Sequence, residues 1–263
     1  MSLKQRVDTQ WDDTHVFPSR LFPDTENVFE QMTKISLNMA RSAKGARTLD
    51  LGCGLGQDLF SLLCKGQRVF GLDASMIMLK KASNWLSQKG TGVPLIEGIG
   101  EQLPFKNSTF QVVFCKGAID HFYDPNGALQ EMSRVIQPGG WIVLAVANFE
   151  SLSCQLSRLI ERIRNVMFPK NLLTVTVGRK FWELPLDHQH KFDFFVLREL
   201  VNRNFLKVKA VRGVSLLWGV PRWGHLLERL PKGVQQAILE VLNTLANLVV
   251  FWSDVVVVSL EKR

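Results

Sequence analysis

The sequence predicts an α/β protein built on a mainly parallel sheet with helices on both faces. Three observations predict it. Apolar runs of strand length alternate with segments whose apolar residues recur at helical spacing. The first apolar run ends in a turn with glycine at every second position, Gly52, Gly54 and Gly56. Pro138-Gly139-Gly140 punctuates the last helix-to-strand step of the alternation. With 263 residues, 46% hydrophobic and 21% charged, the chain suits one large domain, or a domain with a sizeable insertion, around a real core.

Residues 1–45 read as helical in parts and precede the first strand, Arg47–Gly52. The glycine turn leads into a helix at Gln57–Lys65. Arg68–Asp73 is a second strand, Ser75–Gln88 a helix, Pro94–Ile99 a third strand, and Phe110–Lys116 a fourth, β-branched and aromatic. Asn126–Ile136 is helical, the Pro-Gly-Gly run stops it, and Trp141–Ala147 is the fifth strand. Then the rhythm changes. Ser151–Phe168 places Leu152, Leu156, Leu159, Ile163 and Val166 at helical spacing, with Arg158, Arg162 and Arg164 between them. Asn171–Arg179 is less regular, so 151–190 reads as an insertion after the fifth strand. A helix at Val196–Asn204, a strand at Leu206–Val214, an amphipathic helix at Val234–Val249 and a strand at Val255–Leu260 complete the pattern.

Composition narrows the function classes. The polar start, MSLKQRVDTQWDD, has no apolar signal region, and Cys53, Cys64, Cys115 and Cys154 form no CxxC or metal-ligand spacing. Reduced thiols and a cytoplasmic location are expected, with no metal site. The nearest approach to a membrane span, 237–260, carries Glu240, Asn243, Asn247 and Asp254, too many polar groups for a bilayer core. The net charge of +8 is uneven. Residues 1–150 balance 15 Lys and Arg against 15 Asp and Glu, whereas 151–263 hold 17 against 9. The second half therefore either meets an acidic partner or membrane surface, or keeps a solvated basic face.

The glycine turn, TLDLGCGLGQD, poses the question of its ligand. Glycines let a turn take unusual dihedrals and let a ligand approach the main chain. A dinucleotide fingerprint is GxGxxG; here the spacing is GxGxG, position 57 is Gln, and Asp50 stands two residues before the first glycine. An acid is a poor neighbour for a phosphate and a good one for a ligand carrying an amino group.

LDLGCGLG resembles the first motif of the class I S-adenosylmethionine (SAM)-dependent methyltransferases, close to the ubiquinone/menaquinone-type small-molecule enzymes. GLDASMIMLKKA (Gly71–Ala82) resembles the second motif, EGIGEQLPFKNSTFQVVFCKGAIDHF (Glu97–Phe122) the third and fourth, and RVIQPGGWIVLAVAN (Arg134–Asn148) the approach to strand five. The likeness covers 46–148, with a weaker echo at His190–Val211. It implies a Rossmann-like, seven-stranded, mainly parallel sheet in a single domain over 1–263. In that plan 1–45 lies over the site, 46–150 is the SAM-binding core, 151–190 is a helical lid and 191–263 completes the sheet.

The resemblance also implies roles. Asp50 would attract the methionine ammonium, and Gly52, Cys53 and Gly54, with Gly56 closing the turn, would offer main-chain contacts to the same moiety. Asp73 would take both ribose hydroxyls, because a strand-end carboxylate can accept two. Asp73 could also cap the following helix, instead of that role or together with it. Ala74 and Met78 would flank the adenine, and Gly100 and Glu101 would border it. Lys116, Gly117 and His121 would lie beneath the methyl group. His121 is the first candidate base, then His188 and His190 in DHQHKF, with Asp120 weaker. Two departures stand out: Ile99 occupies a position where an Asp often accepts from the adenine amino group, and Gln111 one where Asp is common.

The acceptor would be a small, apolar molecule, with oxygen the preferred accepting atom. The segments expected to cover it carry Trp11, Phe17, Phe22 and Phe29, and then Leu156, Ile160, Phe168, Phe181 and Trp182. The arginine-bearing face of 151–168 either touches an anionic membrane or lies in water. RNA or protein methylation, and SAM binding without catalysis, are the alternatives. No dedicated nucleic-acid module is visible, and the sequence leaves the oligomeric state open.

Overall fold

The computed structural model describes residues 9–12, 20–42, 44–167 and 189–262. Its elements run α1 (Pro23–Met39), β1 (Arg47–Leu51), α2 (Gln57–Cys64), β2 (Arg68–Asp73), α3 (Met76–Gln88), β3 (Leu95–Glu97), β4 (Phe110–Lys116), α4 (Pro125–Val135) and β5 (Ile136–Ala147). They continue with α5 (Leu152–Met167), α6 (Phe194–Arg203), β6 (Leu206–Val214), α7 (Trp223–Glu228), α8 (Lys232–Leu248) and β7 (Val255–Lys262). Short 3-10 turns occur at Ile119–His121 and Val250–Trp252.

The strands form one sheet in the order β3-β2-β1-β4-β5-β7-β6. The first five are parallel, and β7 runs antiparallel to both β5 and β6. Near-continuous apolar strands follow from burial on two faces. Val113 and Cys115 of β4 point into a core shared with α4 and α6, while Val112 and Phe114 point into one shared with α1, α2 and α3. The sheet is therefore covered on both sides, as expected. β6 is an edge strand, and Lys207, Lys209 and Arg212 are exposed along it, which discourages further strand pairing.

Four features go against the sequence reading or beyond it. α4 stops at Val135, before the Pro-Gly-Gly run, and Ile136 already pairs with Phe110. The next register is Trp141 with Val112, so Pro138-Gly139-Gly140 lies in an irregularity within β5 rather than ahead of it. The helix after β2 is capped by Ser75, whose Oγ accepts the Met78 amide, and not by Asp73. α7, unforeseen, starts after Arg222 at φ +66°. Finally, α5 buries Ser153, Cys154 and Ser157, while Leu159, Ile163 and Val166 of its apolar stripe are exposed. The small polar side fits there because β5 ends in a polar junction: Asn148 Nδ2 donates to the carbonyls of Phe251 and Ser253, and Asp254 is buried beside it. Phe17, 171–179, Phe168, Phe181, Trp182 and His188 lie outside the described residues.

Candidate functional site

The sheet's carboxyl edge gathers the sequence-predicted residues. β1 delivers Asp50 and runs into the glycine turn, where Gly52, Gly54 and Gly56 take φ of +74°, +49° and +76°. A Cβ on Gly52 would stand 2.4 Å from the Ala118 Cβ, so that position needs glycine for space as well as for its dihedral.

The turn's amides are used internally. Gly52 and Cys53 N–H donate to the Leu72 carbonyl (2.8 and 3.1 Å), Gly56 N–H to the Cys53 carbonyl (2.9 Å), and Gly54 N–H to Asp73 Oδ2 (2.9 Å). A phosphate loop works the other way, presenting free N–H groups to an anion. With the Gly52, Cys53, Gly54 and Gly56 amides so engaged, the Asp50 and Asp73 carboxylates dominate this side of the turn, which suits a cation.

Asp50 is 2% exposed, and its Oδ2 has no hydrogen-bond partner. Burial pushes its carboxyl well up; repulsion from Asp58 and Asp73 adds to this, and Lys116 opposes it. A buried acceptor without a donor is expensive, and an ammonium would satisfy it. Asp73 also sits high because of burial, pulled back by the amides of Ser75 and Gly54 and by nearby His121. Its Oδ1 accepts from Ser75 N–H at 2.9 Å. One amide on each oxygen fixes the carboxylate and leaves each a further lone pair. These residues fit SAM: a partnerless carboxylate oxygen for the ammonium and a pinned two-oxygen acceptor for the ribose.

The remaining residues fall as follows. The Cys53 thiol is held neutral, raised by burial first and then by Asp50 and Asp73; its sulfur packs against Gly71. Ala74 is half-buried at the end of β2. Met78 is 1% exposed, its methyl 3.8 Å from the place of a Gly54 Cβ, so it backs the turn. Gly100 makes room for the Phe122 ring, which would lie 2.8 Å from a Cβ there. Glu101 Oε1 accepts the Asp124 amide at 3.1 Å, and Ile99 is buried. Lys116 Nζ pairs with Asp58 Oδ2 at 2.8 Å and donates to Thr33 Oγ1 at 2.7 Å. Gly117 is exposed, with open space around its Cα.

His121 lies under Trp11, ring centroids 5.0 Å apart. The Trp11 carbonyl accepts from Ser75 Oγ at 2.6 Å, and neighbouring Asp12 pairs with Lys81 of α3. Residues 11 and 12 therefore bridge the end of β2 and the turn after β4. His190 also reaches this edge: its amide and that of Gln189 donate to the Asp120 carbonyl, and its Nε2 donates to the Tyr123 carbonyl at 3.0 Å. That ring ties the segment down. Asp58, Thr33 and Phe122 were not foreseen. Only Asp58 had a sequence signal, an acid in the first turn after the glycines. Among the described residues no cluster of His, Cys, Asp and Glu is arranged to hold a metal, and no helix is long and apolar enough to cross a membrane.

Comparison with known proteins matches residues 49–144 to the methyltransferase domain family. Residues 49–144 are thus similar to a methyltransferase domain, in keeping with the class I SAM-dependent methyltransferase motifs they carry. The methyltransferase domain is 33% identical over 99 residues to the uncharacterized methyltransferase YcgJ of Bacillus subtilis, covering 37% of this chain and 39% of that one. It is 30% identical over 113 residues to a ubiquinone biosynthesis O-methyltransferase of Chromobacterium violaceum, covering 41% and 47%. The chain thus aligns with less than half the length of these two relatives. The fold extends further. The YcgJ crystal structure superposes with a TM-score of 0.57 over 89% of this chain and 99% of that one, at 16% identity. The geranyl diphosphate C-methyltransferase of Streptomyces coelicolor, solved with S-adenosyl-L-homocysteine, gives 0.59 over 91% and 82%, also at 16% identity.

Proposed function

We propose that the chain transfers the methyl group of SAM to a small, apolar acceptor, preferentially on oxygen. The observation that carries this reading is the pair of buried carboxylates, Asp50 and Asp73, on either side of a glycine turn in which the Gly52, Cys53, Gly54 and Gly56 amides are already bonded. Bound SAM supplies a methyl group already activated on a sulfonium. The residues supply position and dryness. Asp50 balances the ammonium, Asp73 takes the ribose hydroxyls, and the loop at Gly98–Glu101 borders the base, with apolar packing at Ile99 in place of a side-chain acceptor. His121, held by the Trp11 ring, accepts the proton of an acceptor hydroxyl. Trp11 covers that side of the site from water.

The apolar acceptor is supported by the exposed Leu159, Ile160 and Ile163 flank of α5, with Arg158, Arg162 and Arg164 beside it, and by the ubiquinone-type relative. The test is calorimetric titration with SAM and S-adenosylhomocysteine, followed by tritiated-methyl transfer to a panel of quinols, phenols and carboxylic acids, with RNA as a separate arm. Saturable binding and transfer to a phenolic or quinol hydroxyl is the expected result. Absence of SAM binding overturns the reading, transfer to RNA replaces the acceptor class, and binding without any transfer leaves a SAM-binding protein only.

A further inference from the structure

α5 carries its apolar side outward. The side it buries is small and polar, with Ser153, Cys154 and Ser157. At about 100° per residue, Leu156, Leu159, Ile160, Ile163, Val166 and Met167 share a separate arc of roughly 120°. Leu156 is half-buried and the other five are exposed, Val166 by 82% and Met167 by 66%. The first half of the helix is anchored. Cys154 N–H donates to Ser151 Oγ at 3.3 Å, and Arg158 donates to the Phe149 carbonyl and pairs with Glu150. From Leu159 to Met167 every residue but Glu161 is exposed.

The charges are arranged around that arc. Arg162 and Arg164 stand roughly 40° beyond its two edges, one on each side. Both are exposed, the Arg164 side chain by 57%. Glu161, the one acid in the helix, lies toward the buried side; its side chain is 13% exposed and meets Arg164 at 3.6 Å.

This arrangement selects what covers the face. RNA or an acidic protein would engage the arginines and leave the aliphatic arc in water. A second copy would fill the arc but set arginine borders against arginine borders. An anionic lipid surface satisfies both: the aliphatic groups enter the acyl boundary while the guanidiniums reach the phosphates.

We propose that α5 docks the protein on an anionic membrane, lying in the interface with Leu159, Ile163 and Val166 toward the acyl chains and Arg162 and Arg164 on lipid phosphates. α5 follows the end of β5 at the carboxyl edge of the sheet, so docking brings the edge that holds Asp50 and Asp73 toward the lipid. An apolar acceptor would partition into the same bilayer. The docking agrees with that acceptor and does not require it.

Flotation of the full chain with vesicles of phosphatidylcholine, alone or mixed with phosphatidylglycerol, tests it without SAM or acceptor. The chain should float with the anionic vesicles, less so in high salt, and stay behind with the neutral ones. Arg162→Gln with Arg164→Gln should weaken partitioning about 30-fold. Ile163→Glu with Val166→Glu should weaken it on the order of 100-fold, with unchanged circular dichroism. Val241→Glu, at an exposed position of α8, should change nothing. In a Cys64→Ser background, which removes the exposed thiol, an environment-sensitive dye on Val166→Cys should shift to the blue with anionic vesicles. The same dye on Asn165→Cys, at an exposed position outside the arc, should not. Absence of flotation, or flotation indifferent to the paired Glu substitutions, overturns the inference. So does a Val166→Cys dye already shielded without lipid, because this chain or a second copy then covers the face, and so does retention on RNA with no affinity for vesicles. The readout is lipid binding alone, so a failure here is separate from a failure of SAM binding or transfer.

Discussion

Asp58 and Lys116 meet at 2.8 Å across the carboxyl edge of the sheet, one on the first turn of α2 and the other at the end of β4. Lys116 also holds Thr33 of α1, so one ammonium ties two helices to a strand end beside two further carboxylates. Lys116→Met should lower the melting temperature by about 3–6 °C, from a loss of ~1–2 kcal/mol for a mostly buried pair. Adding Asp58→Asn should recover part of it, because the repulsion on Asp50 then falls. A thermal-melt double-mutant cycle reads the coupling. An additive pair of losses would mean that the contact contributes nothing.

Asp73 anchors the glycine turn with the same carboxylate that, in the proposed function, accepts the ribose hydroxyls. Asp73→Ala leaves the amides of Gly54 and Ser75 without their acceptor and should weaken SAM binding by roughly 10- to 100-fold, since hydrogen bonds to charged groups contribute ~1.5–3 kcal/mol. Asp73→Asn, which keeps one carbonyl acceptor, should fall between Ala and wild type in both affinity and melting temperature. Calorimetry and differential scanning fluorimetry on the two variants provide the check.

Asp50 gives SAM affinity a pH dependence of definite sign. Its carboxyl is raised by burial, so toward lower pH the free protein holds a proton that an incoming ammonium must displace. Affinity should rise with pH through the titration of that carboxyl, and binding on its acid side should release protons. Titrations in two buffers of different ionisation enthalpy measure that release. Asp50→Asn should bind more weakly and abolish the dependence.

Asp254 controls stability rather than chemistry. Burial lifts its pKa from 3.8 to about 7; the Ser153 hydroxyl, the Trp218 amide and the Ser151 hydroxyl pull it down, and Asp24 of α1 pushes it up. The folded chain therefore keeps a proton that the unfolded chain gives up. Stability should fall as pH rises from about 4 to 7 and then level off, at ~1.4 kcal/mol per unit at most. Asp254→Asn should flatten that slope and melt higher than wild type at pH 8. Thermal melts from pH 5 to 8 would reveal it; parallel slopes for the two proteins would refute it.

The sheet was legible because buried parallel strands are short, apolar and bounded by turns. β2, β4 and β6 fall where the apolar runs predict them, and the acids ending β1 and β2 mark the site. Periodicity tells which residues share a helix face, but not which face the core takes. The apolar spacing of α5 therefore does not reveal that its serines and Cys154 are the buried side. The Lys116–Asp58 contact and the Trp11–His121 stack join residues 58 and 110 positions apart, and nothing in their local sequence announces them. α7 escaped notice because Gly219, Pro221 and Gly224 read as loop, and its first turn depends on Arg222 in a left-handed conformation.

β7 enters the sheet between β5 and β6, although it follows both in the chain. A ribosome that has released β6 has given it no neighbour. Until Val255–Lys262 emerges, the five parallel strands carry an unzipped border at β5, and β6 waits apart. The nascent molecule must therefore hold a five-stranded sheet with β5 uncovered, and β6 apart from it, until one late, long-range step joins them. A chaperone that shields β5 before β7 emerges would raise the yield of folded protein more than one acting afterwards.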